Sequence, residues 1–305
     1  MRILCTFLIM ATWTGCSSSK YAPEAGSDDN TPGPDTGDSG QDDTDPVQEV
    51  VCPGDHAPIT ASDLDALTDC THIEGSLRLA ETSLIDLDPL QNLRAIGVDL
   101  IIDRNPDLRD LSGLDNLERV GHDVDIRSND AITELNALNS LEFIGRHVDI
   151  SNNAQLTRIA GFDALSDLTG DLQVWSNYAL AEIHGFQALT TLNYDLDFRW
   201  NPELVDLSGF SGAETVGGIL YLESNGSLTD LSGLGGIRQI DAGLVIRFLD
   251  SLTDLSGFES LLLINGEVEI TDNAALCQSV VEAWAEAVTI GLRGSSTLCC
   301  NDSSC

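Results

Sequence analysis

Residues 124–145 read VDIRSNDAITELNALNSLEFIG, and the fold class can be worked out from this stretch. Its first part, Val124-x-Ile126, alternates by two, the pattern of a strand with one face buried. From Asn129 the apolar residues step by three through Ile132, Leu135, Leu138, Leu141 and Ile144. That spacing suits tight turns or short three-fold helical pieces; around a long α-helix a step of three drifts. The pattern returns every 24 residues. Asn105, Asn129, Asn153, Asn177, Asn201, Asn225 and Asn273 mark it, with Leu249 standing in once, and apolar pairs from Leu100/Ile102 to Val268/Ile270 precede them. An earlier turn uses Leu77/Leu79, with Thr82 in the Asn slot. A fixed period of this size signals a solenoid, in which no repeat buries a core alone. Strands one repeat apart are expected to pair in parallel about 4.8 Å apart, so nine repeats span roughly 40 Å. The Asn side chains are expected to point inward and satisfy backbone groups at each bend. Gly97, Gly121, Gly145, Gly170 and Gly217 close many repeats, where freedom to take positive φ would help the chain turn.

The strand, the Asn bend and the Leu-rich return resemble leucine-rich repeats, although the apolar residue after the Asn falls one place late. Segments such as Leu108-Arg109-Asp110-Leu111-Ser112-Gly113-Leu114 look more like the receptor L domain. This resemblance covers residues 51 to 305. It implies an all-β solenoid, a single-stranded right-handed β-helix of 24-residue coils with a short C-terminal α-helical cap. It also implies Cys-containing caps at both ends, a binding role and no catalytic residues. The corresponding divisions are an N-terminal cap over 51–76, about nine coils over 77–276 and a Cys-rich helical cap over 277–305.

Residues 1–16 read as a bacterial lipoprotein signal. Arg2 supplies the positive end, Ile3 to Trp13 are mostly apolar, and Thr14-Gly15-Cys16 resembles the end of a lipidation box with Cys16 as the lipidated residue. The apolar run is too short to span a bilayer. Ser17 is compatible with delivery to the outer membrane or cell surface. Residues 17–50 hold nine acidic residues and one basic, Lys20, with almost no apolar content. They read as a disordered acidic tether.

Residues 51–305 carry 41 acidic and 12 basic residues, a net of −29, and no Lys. That balance disfavours nucleic acid and direct docking on anionic lipid, leaving the lipid anchor as the membrane contact. It suits divalent cations such as calcium, or a basic partner. Apart from Cys5 and Cys16, six Cys remain, an even number that fits three disulfides in an exported protein. Cys52–Cys70 is the natural local pair; Cys277 can reach Cys299 or Cys300, and Cys305 takes what remains.

No nucleophile elbow, zinc-protease helix, phosphate loop or dinucleotide fingerprint is present, and the unbroken register leaves no insert to build a cleft. A non-catalytic module binding protein or glycan is therefore expected, with a structural envelope protein or a carbohydrate-active enzyme as alternatives. Alternation places three columns on the outer face of the strands. Asp123, Asp125, Asp149, Asp171 and Asp195 form an acidic patch around His147, a candidate cation site. Asp149, Trp175, Asp197, Arg199 and Tyr221 form a candidate ligand patch, in which Arg199 is expected to stack on Trp175.

Overall fold

The computed structural model describes residues 48–290, 296–299 and 301–302; the expected signal with Cys16, residues 17–47 of the tether, Cys300 and Cys305 lie outside them. Nine four- or five-residue strands follow the apolar pairs: β1 (Leu77–Ala80), β2 (Leu100–Asp103), β3 (Val124–Arg127), β4 (Val148–Ser151), β5 (Leu172–Trp175), β6 (Leu196–Arg199), β7 (Ile219–Glu223), β8 (Gly243–Arg247) and β9 (Glu267–Thr271). A tenth, β10 (Ser296–Cys299), joins them in one parallel sheet. Equivalent positions pair across it, as in Val124↔Val148, Val148↔Leu172 and Leu172↔Leu196. The inward residues of each pair, such as Leu100, Ile102, Val124 and Ile126, are fully buried. On another side, two-residue strands such as Ala95–Ile96, Arg119–Val120 and Phe143–Ile144 also pair in parallel. The described residues are thus mostly parallel β-structure, an all-β and β-helix-like architecture. Among them, no helix is long and apolar enough to cross a membrane.

The three-step segment takes two forms. In five repeats it contains a 3-10 helix, for example Ser112–Leu114, Ser208–Phe210, Ser232–Leu234 and Ser256–Phe258. In these four an Asp two residues before the Ser accepts the Ser N–H, at 3.0 Å for Asp110 and 2.7 Å for Asp206 and Asp230, which closes a local turn. Three middle repeats carry Glu134, Arg158 or Glu182 in the Asp slot. There the chain extends into a three-stranded parallel sheet, Glu134–Leu135, Arg158–Ile159 and Glu182–Ile183. Phe162, Phe186 and Phe210 stack through the core with centroids 4.8 and 5.3 Å apart.

The expected ladder of Asn side chains is formed. Asn177 Nδ2 donates to Ile150 O at 2.9 Å, its Oδ1 accepts from Asn153 N at 3.0 Å, and its own N–H donates to Asn201 Oδ1 at 3.0 Å. Leu249 interrupts the side chains but not the register, which runs Tyr221↔Val245↔Glu269 without a bulge.

The glycines do a different job from the one expected. Gly97, Gly121 and Gly145 do not have positive φ; among the described glycines only Gly54 does. They admit the neighbouring repeat's backbone: a Cβ at Gly145 would lie 1.8 Å from Gly121 O, and one at Gly121 would lie 1.9 Å from Gly97 O. The left-handed turn falls on the residue before each Asn slot. Arg104, Ser128, Asn152, Ser176, Trp200, Ser224, Phe248 and Asp272 all have φ of 55–58°.

At the N-terminus Cys52–Cys70 is bonded, with Cα atoms 5.9 Å apart, closing a loop worth about 3 kcal/mol. The short helix α1 (Ala61–Asp65) inside that loop starts at a Thr60/Asp63 capping box. At the other end α2 (Gln278–Ala287) buries Val281 and packs Val280 and Trp284 on the core, Trp284 reaching Phe258 at 6.5 Å. Cys277 is disulfide-bonded. The C-terminal cap is more than a helix: after α2 the chain returns as β10, and Asn301 continues the ladder, accepting from Asn273 Nδ2 at 3.0 Å. The last turn is 28 residues long, from Asn273 to Asn301, because it accommodates the helix.

Candidate functional site

Parallel pairing brings the three outer columns together as alternation requires. The column just ahead of the strands is a second ladder. Asp99 Oδ1 accepts from Asp123 N at 3.2 Å, Asp123 Oδ1 from His147 N at 3.1 Å, Asp171 Oδ1 from Asp195 N at 3.0 Å and Asp195 Oδ1 from Ile219 N at 2.7 Å. His147 takes the same part, its Nδ1 accepting from Asp171 N at 3.0 Å. A run of short acceptors at one slot ahead of the strand was the sequence signal for this role.

Much of the acidic patch serves the fold. Asp123, Asp171 and Asp195 each commit an oxygen to the next repeat's backbone. Asp125 and Asp149 share Arg127, at 3.0 and 3.8 Å. No group of three or more His, Cys, Asp or Glu side chains converges to hold a metal among the described residues. Burial raises the pKa of Asp125, and Arg127 opposes it. Burial likewise raises Asp149, while Ser151, Arg127 and Trp175 pull it back. Ser151 and Trp175 lie close enough to act on Asp149, yet Asp149 Oδ1 and Ser151 Oγ are buried without a well-formed hydrogen bond.

The ligand patch does come together, on adjacent strands β4 to β7, but two of its parts differ from expectation. Asp197 is only 1% exposed, so it is not presented to a ligand. It holds Arg199, whose Nε lies 2.7 and 2.9 Å from its two oxygens and whose Nη2 also bonds it. Burial raises the Asp197 pKa, opposed by that contact. Arg199 also does not stack on Trp175. Asp197, two residues back on the same face, draws the guanidinium the other way, over Tyr221 at 4.9 Å and Trp200 at 5.5 Å. Trp175 meets Trp200 edge-on at 6.1 Å and 67°.

Trp200, which the sequence places near the patch at the strand end, and Phe248 also belong to this face, at the left-handed position, although neither is among the expected ligand residues. They are 42% and 44% exposed. Phe248 lies 5.9 Å from the Arg247 guanidinium, which Glu223 and Glu269 hold at 2.8 and 3.1 Å. Their departure from the polar residues that the other repeats carry at that slot was legible in the sequence. Its meaning was not, because the slot's backbone conformation was unknown. No protein-family model matches this chain and no curated protein matches it.

Proposed function

We propose that this protein is an exported, lipid-anchored module of the cell envelope that binds a partner through the outer face of its long sheet and performs no catalysis. In this reading Cys16 carries the lipid, residues 17–50 tether the fold off the membrane, and the repeats close into a single-stranded right-handed solenoid of the receptor L domain kind. One observation carries the reading. Bulky aromatics in the left-handed region are strained, and strain retained at an exposed position points to use. Trp200 and Phe248 are such residues, each beside an arginine already held by carboxylates. A pre-ordered aromatic and arginine surface binds with little further loss of entropy.

The test is a Trp200→Asn, Phe248→Asn variant displayed on cells. Asn tolerates positive φ, so relief of strain offsets the lost Trp175 contact. Stability is expected within about 1 kcal/mol of wild type. Photocrosslinking from a diazirine residue placed at Gln173, between Asp149 and Asp197 on the same face, should yield an envelope adduct that the Trp200→Asn, Phe248→Asn variant loses. An adduct that persists unchanged would remove the aromatics from the reading.

A hydrolytic reading has one observation in its favour. His184 Nδ1 lies 3.0 Å from Ser208 Oγ and its Nε2 lies 3.0 Å from Glu182 Oε2, which is the order of nucleophile, base and orienting acid. We expect no labelling of Ser208 by a fluorophosphonate; stoichiometric labelling lost in a His184→Ala variant would establish this second reading.

A further inference from the structure

Beyond β6 the outer face changes character. The accepting column passes from Asp195 to Ile219 and Gly243, and the middle column from Asp197 to Tyr221 and Val245. Gly243 has no side chain, and the face sinks there into a depression of about 360 Å³. Ile219, Tyr221, Gly243 and Val245 line it with carbon, and Arg247, Glu267 and Glu269 line it with charge. Arg247 is committed to Glu223 and Glu269. The surroundings are negative: burial and the Asp195 carboxylate push the Tyr221 phenol up, opposed by Arg199 and reinforced by Asp197 and Glu223.

We propose that this depression seats a lysine or arginine side chain of a partner protein. The aliphatic stem would lie on Ile219, Gly243 and Val245, with the cationic head at Glu269. The assignment rests on the binding-face reading above and names the partner's chemistry. An amphipathic side chain matches an apolar floor with an acidic edge. A second copy fits poorly, since residues 51–305 carry a net of −29 and two copies repel. A neutral glycan would need an open ring face, and Arg199 already lies over Tyr221.

The experiment titrates the full chain with capped tetralysine and with capped tetra-2,4-diaminobutyrate by calorimetry at pH 6 and physiological salt. The two peptides carry the same charge, but the second has stems two methylenes shorter. Wild type is expected to bind tetralysine about tenfold tighter. Val245→Gln, which leaves the charge unchanged, should erase that preference, and Glu269→Gln should weaken both peptides. Ile219→Gln replaces Val245→Gln if the latter does not fold. Equal affinities in wild type, as charge attraction alone would give, overturn the proposal, as does a preference that survives both floor substitutions. Self-association abolished by Val245→Gln would assign the depression to a second copy, and competition by a neutral cello-oligosaccharide would assign it to a glycan; either result overturns it. If these arms fail while Trp200→Asn, Phe248→Asn still loses its envelope adduct, the binding face stands and only this occupant falls.

Discussion

Asn177→Ala is expected to lower the unfolding free energy by about 3–5 kcal/mol, from two or more buried polar groups each costing about 1–3 kcal/mol when left without a partner. Asn177 is fully buried, mid-way along the ladder. Alanine removes the donor to Ile150 O and the acceptor for Asn153 N, while Asn177 N can still donate to Asn201 Oδ1. Neither abandoned group has solvent within reach, since Asn153 and Ile150 are buried as well. Urea unfolding of the full chain measures the loss. A change below about 1 kcal/mol would mean that water enters the bend and replaces the side chain. Because repeats are stabilised by their neighbours, the substitution should also weaken protection of β4 and β6 in hydrogen exchange more than that of β1 or β9.

Arg199→Ala is expected to cost about 3 kcal/mol at pH 7, the lower end for breaking a buried pair because the arginine side chain is one-third exposed. The cost comes from Asp197, which keeps its charge in a site from which its partner has gone. The pH dependence has a definite sign. Burial already sets the folded Asp197 pKa above its ordinary 3.8. Its contribution to stability is therefore greatest below 3.8 and is lost as pH rises through the folded value. Without Arg199 that folded value rises further. The deficit of Arg199→Ala should be largest at neutral pH and shrink as pH falls and the carboxyl takes up its proton. Asp197→Asn added to Arg199→Ala should recover most of the loss at pH 7. Thermal melts across pH 4 to 7 decide it, and a deficit that is constant with pH would mean that packing on Tyr221 and Trp200, not the buried charge, is what Arg199 supplies.

Much of this protein was legible because its repeat is short and strict. The apolar pair marks the strands, the Asn marks the bend, and strict spacing puts equivalent residues beside one another, so the outer columns followed by counting. What resisted reading were roles that depend on where the backbone's own donors end up. The Asp column looked like a charged surface. It accepts the N–H groups left over ahead of each strand, a need visible only once neighbouring chains are in place. Asp197 looked exposed by alternation and is buried, because Arg199 folds over it. The closing glycines looked like turn residues and are instead points of close approach between repeats. The tenth strand and Asn301 escaped notice because the helix α2 lengthens the last turn and breaks the count.

By itself the sequence determined the strand positions, the parallel register, the inward apolar stack and the Asn ladder, since all of these follow from a 24-residue period and the alternation of side chains. Only the tertiary structure decided which carboxylates serve the backbone, which arginine partner wins, and where the outer face opens into a depression. Those outcomes depend on competition among neighbours from different repeats for the same hydrogen bonds and the same space. Spacing along one chain places the competitors side by side, while their geometry and burial choose among them.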